Sequence, residues 1–239
     1  MAMQATVRLL STLALKGVVW RLAGQFEAAT GIRIDADFAP TLALLDRVRD
    51  GEAADLVILT REGLDQLAAE ARLSAESCVD LVRSHVGIAV KAGAARPDIA
   101  TEAALRAALL AARSVAYSRI GASGILFAQL IERLGIAAQI NANAVLVPMG
   151  LTAERLVRGE ADLAVQQISE LKQVEGIDVL GPIPLHLQTP AIFSAAVMTA
   201  SPRAVDAERL LGYLASSEVV PALQEAGLEP FDLPLNLPV

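Results

Sequence analysis

The chain has 239 residues, enough for one large domain or two small ones, and its 54% hydrophobic content with a mean hydropathy of +0.48 raises the question of membrane insertion. No stretch approaches the roughly 18 uninterrupted apolar residues of a spanning helix; the surplus Ala, Leu and Val sit in short periodic segments, as in an α/β protein with buried parallel strands. The net charge is −7 and the basic residues are scattered, which excludes a nucleic-acid-binding stripe and a polybasic membrane patch.

Residues 5–10 read as a strand, broken at the polar pair Ser11-Thr12 and followed by a helix with the apolar stripe Leu15, Val18, Val19, Leu22 and Phe26. Gly31 ends that helix. Residues 32–38 alternate with period two, and Ala39-Pro40-Thr41 turns this strand into a helix carrying Leu42, Leu45 and Val48, with Thr41 expected at the N-cap. Residues 55–60 form a third strand before a helix on Leu64, Leu67, Ala68 and Ala71. An apolar run from Leu81 to Val90 precedes the loop Ala92-Gly93-Ala94-Ala95-Arg96-Pro97.

A second β-α series follows: a helix near 102–112, strand 114–117, helix 123–134, strand 143–147, helix 152–158 and strand 162–166. Residues 192–198 are strand-like. Ser201-Pro202 and Ser217 are expected to open two closing helices, the second ending at Gly227. Repeated β-α units of this kind specify a mainly parallel sheet with helices packed on it.

Cys78 is the single cysteine, so an internal disulfide and a cysteine-based metal cluster are excluded. His85 and His186, the only histidines, stand in no metal-ligand spacing. The chain carries no P-loop, no G-x-G-x-x-G fingerprint and no Ser-His-Asp arrangement, so no metal and no cofactor are expected. The start Met1-Ala2-Met3 runs almost directly into the first strand, without the charged and apolar regions of a leader peptide. A cytoplasmic location is expected as encoded, and a periplasmic one if a leader was removed.

The most informative stretch is Ser118-Arg119-Ile120-Gly121-Ala122-Ser123-Gly124, a polar, glycine-containing turn joining a strand to an amphipathic helix. A helix start exposes backbone N–H groups and the positive end of the helix dipole, which suits a carboxylate or oxyanion without a metal. The junctions at Ser11-Thr12 and Pro40-Thr41 repeat the pattern. Arg119 can grip a carboxylate through two parallel hydrogen bonds.

Taken in order, Leu13 through Phe26, Thr30-Gly31-Ile32, Phe38-Ala39 with Thr41-Leu42-Ala43, Ala54-Asp55-Leu56-Val57-Ile58, Ser123-Gly124-Ile125 and the closing segment from Tyr213-Leu214 to Gly227 resemble the type II periplasmic solute-binding proteins, particularly the molybdate-binding subgroup. The resemblance spans nearly the whole chain. It implies a two-lobed α/β fold with a ligand cleft between the lobes, one lobe from residues 1–82 and 196–239 and the other from 83–195. Thr12, beside Ser11, falls where molybdate binders place their first serine, and Ser123, with Gly124, where they offer a backbone N–H. Pro40-Thr41 replaces a longer serine run, and Gln167, beside Gln166, replaces a tyrosine. These departures turn the expectation from molybdate towards an organic carboxylate. Arg83, Ser84 and His85 near the crossover are candidate cleft or hinge residues.

The leading expectation is therefore a solute-binding-protein-like module for a small anion. The alternative is a cofactor-independent isomerase, because the same family includes aconitate isomerases, which move a double bond in a tricarboxylate. Such chemistry needs a base next to a carboxylate; His85 is the only candidate near the cleft, and a hydroxyl residue would need activation. A transporter partner requires an extracytoplasmic location, against which the missing leader argues.

Overall fold

A computed structural model describes residues 4–231. The chain divides into two compact units, one formed by the segment up to Arg83 together with that from Ile192 onward, the other by Ser84–Ala191. The expected two-lobed α/β architecture is present.

In the first unit, β1 (Thr6–Thr12) leads through a 3-10 turn (Leu13–Leu15) to α1 (Lys16–Thr30). β2 (Arg33–Ala39), α2 (Thr41–Arg49), β3 (Leu56–Thr60) and α3 (Arg61–Ala69) follow, and β4 (Val79–Ser84) runs to the unit's edge. β1 pairs in parallel with β2 and β3. Leu10, Leu44, Leu45, Val57, Leu59, Leu64 and Leu67 bury the interior faces of these strands and helices together. Such apolar burial contributes about 25 cal/mol per Å² and drives the layering. Gly31, at φ +72°, ends α1 in the left-handed conformation that glycine adopts without strain.

The apolar run 81–90 is not one strand. It breaks at His85 into β4 and β5 (Val86–Lys91), which belong to different sheets. The second unit continues with α4 (Glu102–Ala111), β6 (Val115–Tyr117), α5 (Ala122–Arg133), α6 (Ala137–Ala142), β7 (Ala144–Leu146), α7 (Glu154–Val157), β8 (Leu163–Gln167), α8 (Ile168–Leu171) and β9 (Ile177–Pro182). Its sheet order is β7-β6-β8-β5-β9. Pairing is parallel for β6 with β7 and β8, and antiparallel for β5 with β8 and β9. Phe127, Leu130 and Ile131 on the buried face of α5 meet Tyr117, Val165 and Leu105 in the core. The Tyr117 and Phe127 rings pack edge to face at 5.1 Å, which places Tyr117 in the core rather than at a binding surface.

The chain then returns through β10 (Ala191–Val197), antiparallel to β3, to α9 (Ala204–Leu214), α10 (Val220–Glu225) and the short β11 (Glu229–Pro230) of the first unit. α9 starts two residues beyond Pro202, because the Ser201 hydroxyl is engaged in a turn: it donates to Asp55 and accepts from the Arg203 N–H. The sheets are thus mixed, with the β-α repeats parallel and the crossing strands antiparallel.

Candidate functional site

Each unit gathers polar strand ends at one edge of its sheet. In the first, Thr12 lies opposite Ala39 in the β1–β2 register, and Ser11 lies opposite Ile58 of β3. The carboxyl ends of three parallel strands therefore bring Thr12, Pro40-Thr41 and Thr60 to one side, the usual ligand side of an open α/β sheet. In the second, β6 and β8 run parallel and Val86 opens β5 opposite Gln167, so the Ser118 turn, Gln166-Gln167 and Ser84-His85 share an edge.

Within the first group the hydroxyls differ in what they have left to offer. Ser11 is fully buried and donates to the Thr12 carbonyl at 3.1 Å, so its proton is spent within the strand end. Thr12 accepts from the Ala14 N–H at 3.0 Å, and its own hydroxyl proton has no acceptor among the described residues. Thr41 is the first residue of α2, not its cap; Pro40 holds the N-cap position, and its carbonyl accepts from Leu44 N–H at 3.0 Å. No side chain caps this helix, so its first N–H groups and the nearly buried Thr41 hydroxyl are open to an incoming acceptor. Thr60, which the sequence reading passed over, sits at the third junction and caps α3 through Gly63 N–H at 3.3 Å. Its signal was the same strand-hydroxyl-helix pattern.

In the second group, α5 also starts without a side-chain cap, at Gly121. Ser118 accepts from Ile120 N–H at 3.3 Å and closes the turn, leaving Ser123 buried with no hydroxyl partner among the described residues. Gly124 is required by packing: a Cβ there would lie 1.3 Å from the Ser118 carbonyl oxygen. Arg119 is exposed and has no ion-pair partner among the described residues, so its guanidinium is uncommitted.

Gln166 and Gln167, neighbours on one strand, do opposite things. The Gln166 carbonyl oxygen accepts from Thr152 N–H at 2.7 Å and Thr152 Oγ1 at 2.9 Å, and its amide donates to Gly150 O at 3.3 Å, so this side chain fastens the 150–152 loop. Gln167 accepts from Ser84 Oγ at 2.8 Å, while its Nε2 is buried with no partner among the described residues. The candidate hinge residues divide likewise: the Arg83 guanidinium stacks on Phe231 at 4.0 Å, Ser84 binds Gln167, and the His85 carbonyl accepts from Ile168 N–H at 2.9 Å.

Glu170 is the residue the sequence reading missed. It is 7% exposed, and burial pushes its carboxyl up to about 8, against the hydrogen bonds from Gln167 N–H and Gln166 that favour the carboxylate. It therefore stands protonated at neutral pH. With Gln167 it forms a reciprocal capping box on α8, and the Q-x-x-E spacing was the available signal. Cys78 is half-buried, and burial raises its thiol further above the range where a nucleophilic thiolate forms. Among the described residues no group of three His, Cys, Asp or Glu side chains is placed to hold a metal, and no helix is long and apolar enough to cross a membrane.

Comparison with known proteins gives the lineage. A curated aconitate isomerase from a Pseudomonas species is 36% identical over 231 residues, covering 94% of this chain and 88% of the relative. The periplasmic molybdate-binding protein of Azotobacter vinelandii shares the fold at a TM-score of 0.80 and 17% identity, covering 98% of this chain and all of that one. The sulfate-binding protein of Mycobacterium tuberculosis does so at 0.77 and 16%, covering 95% and 88%. The bacterial extracellular solute-binding protein family matches residues 7–229, and the chain belongs to that family.

Proposed function

We propose that this protein binds a small organic carboxylate, using uncapped helix starts and fixed side-chain donors in place of a metal. The carrying observation is the Ser118–Gly124 turn, where a helix N-terminus without a side-chain cap, the partnerless hydroxyl of the buried residue Ser123 and an uncommitted arginine meet in seven residues. Ser123, Gly124, Gln167 and Arg119 of the second unit offer ligand contacts, as Thr12 and Thr41 do in the first. Ser11 and Gln166 support them from behind. The solved relatives named for molybdate and sulfate support an anion as ligand, and the curated relative named for aconitate supports a carboxylate.

A second reading, isomerisation of an aconitate-type acid, is favoured by that same relative's 36% identity. The reaction moves a proton from a methylene carbon to the far end of the double bond, so the protein must hold three carboxylates and stabilise the delocalised anion formed between the two transfers. The donor-rich helix starts suit the second task.

Calorimetry with trans-aconitate, sulfate and molybdate, joined to a proton-NMR assay of cis/trans aconitate interconversion, separates the readings. Carboxylate binding without turnover keeps the binding module and removes the enzyme; tight molybdate binding with no carboxylate affinity removes both. Fractionation of the source cells addresses location: a periplasmic pool supports a transport role, and a cytoplasmic pool supports sensing, buffering or turnover.

A further inference from the structure

The Gln167 side chain is 1% exposed, and its two ends are treated differently. Its Oε1 accepts from Ser84 Oγ at 2.8 Å and from the backbone N–H of Glu170, the first contact reaching back to the start of the second unit. A backbone N–H can only donate, so the atom facing it must be the amide oxygen; the orientation of the amide is thereby fixed. The other end, Nε2, carries two hydrogens and no acceptor among the described residues. A buried donor left in this state bears an uncompensated desolvation cost, which a bound acceptor recovers.

We infer that Ser84 and Glu170 are positioning residues that lock Gln167 as a one-way donor, presenting its Nε2 hydrogens to an acceptor oxygen of the bound carboxylate. The inference rests on the proposed function and names the parts of the site that set ligand polarity. Glu170 closes the lock from its side chain as well, since Oε2 accepts from Gln167 N–H at 3.3 Å. As a neutral acid it does so without placing a negative charge behind the ligand. α8 packs on β5, β8 and β9. Their ionisable side chains are Lys91 and Asp178, with His85 just before β5 and Lys172 just after α8; the shift at Glu170 comes from burial and its two glutamine neighbours.

The test uses the whole 15N-labelled chain, with Ser84→Ala, Glu170→Ala and Glu170→Gln. In the unaltered protein the Gln167 side-chain amide gives a sharp, slowly exchanging NMR pair; Ser84→Ala and Glu170→Ala broaden it and weaken trans-aconitate binding roughly tenfold, the loss expected for a misdirected hydrogen bond to a charged group. Glu170→Gln, which keeps a neutral acceptor, recovers most of the loss found with alanine. It also abolishes a fall in affinity above the Glu170 midpoint of about 8, a pH signature that a purely structural residue would not give. Binding by the unaltered protein that neither alanine variant weakens overturns the positioning role alone. Absence of trans-aconitate binding, with or without affinity for sulfate or molybdate, overturns this inference and the proposed function together.

Discussion

The carbonyl oxygen of Ser118 occupies the space that a β-carbon on residue 124 would need, 1.3 Å from its ideal position. The strand-to-helix turn is wound tightly enough that α5 rests its backbone on the chain entering it. Gly124→Ala must push Ser118 or the first turn of α5 aside, at about 1–3 kcal/mol or more. Gly24→Ala is the control: a Cβ there meets nothing within 4 Å, and in mid-helix it gains roughly 0.5–1 kcal/mol. Urea unfolding of the two variants is expected to move in opposite directions, with carboxylate affinity falling only for Gly124→Ala.

Thr12→Ala, Thr41→Ala and Ser123→Ala each remove the hydroxyl of a buried residue whose proton has no acceptor among the described residues. Each is expected to weaken trans-aconitate binding by about 0.5–1.5 kcal/mol, rising towards 3 kcal/mol where the hydroxyl meets a charged oxygen. Ser11→Ala, whose proton is already spent on the Thr12 carbonyl, is expected to change affinity less. Calorimetric titration of the four variants checks the order; equal affinity in all four would remove the assignment.

Arg119→Lys keeps the charge and loses the planar fork. A di- or tricarboxylate is expected to lose more affinity than sulfate or molybdate, and any aconitate isomerisation falls with it. Parallel calorimetry across these anions reads the difference, and a uniform loss would assign Arg119 a purely electrostatic part.

Glu170 gives stability a pH dependence of defined sign. Its carboxyl titrates at about 8 in the folded chain against an ordinary value of 4.5, so the folded state holds the extra proton between those limits. Stability from this group is complete below the lower value, drains away between the two at about 1.4 kcal/mol per pH unit, and is lost once pH has risen through the upper one. Urea unfolding across that window is expected to show the decline, and Glu170→Gln to flatten it.

The sequence by itself determined most of the element order and of the strand-to-helix junctions, though not the short elements α6, α8, β9 and β11. Those features are local: period-two alternation in 32–38, the apolar stripes of α1 and α5, and the turn chemistry at Gly31 and Ser118 each act within a few residues. It also carried the family, whose model matches residues 7–229. What the tertiary structure decided was which polar groups remain available. Ser11 and Thr12 look alike in sequence, as do Gln166 and Gln167, yet one of each pair is consumed inside the fold and the other is left with a free donor. Hydrogen-bond satisfaction depends on partners distant in the chain, such as Ser84 for Gln167. The split of 81–90 into two strands was hidden for a similar reason, since each half is apolar because a different sheet buries it. The Glu170 carboxyl lies at the limit of this reasoning: its Q-x-x-E spacing was legible, but the burial that holds its proton is a property of the packed chain alone.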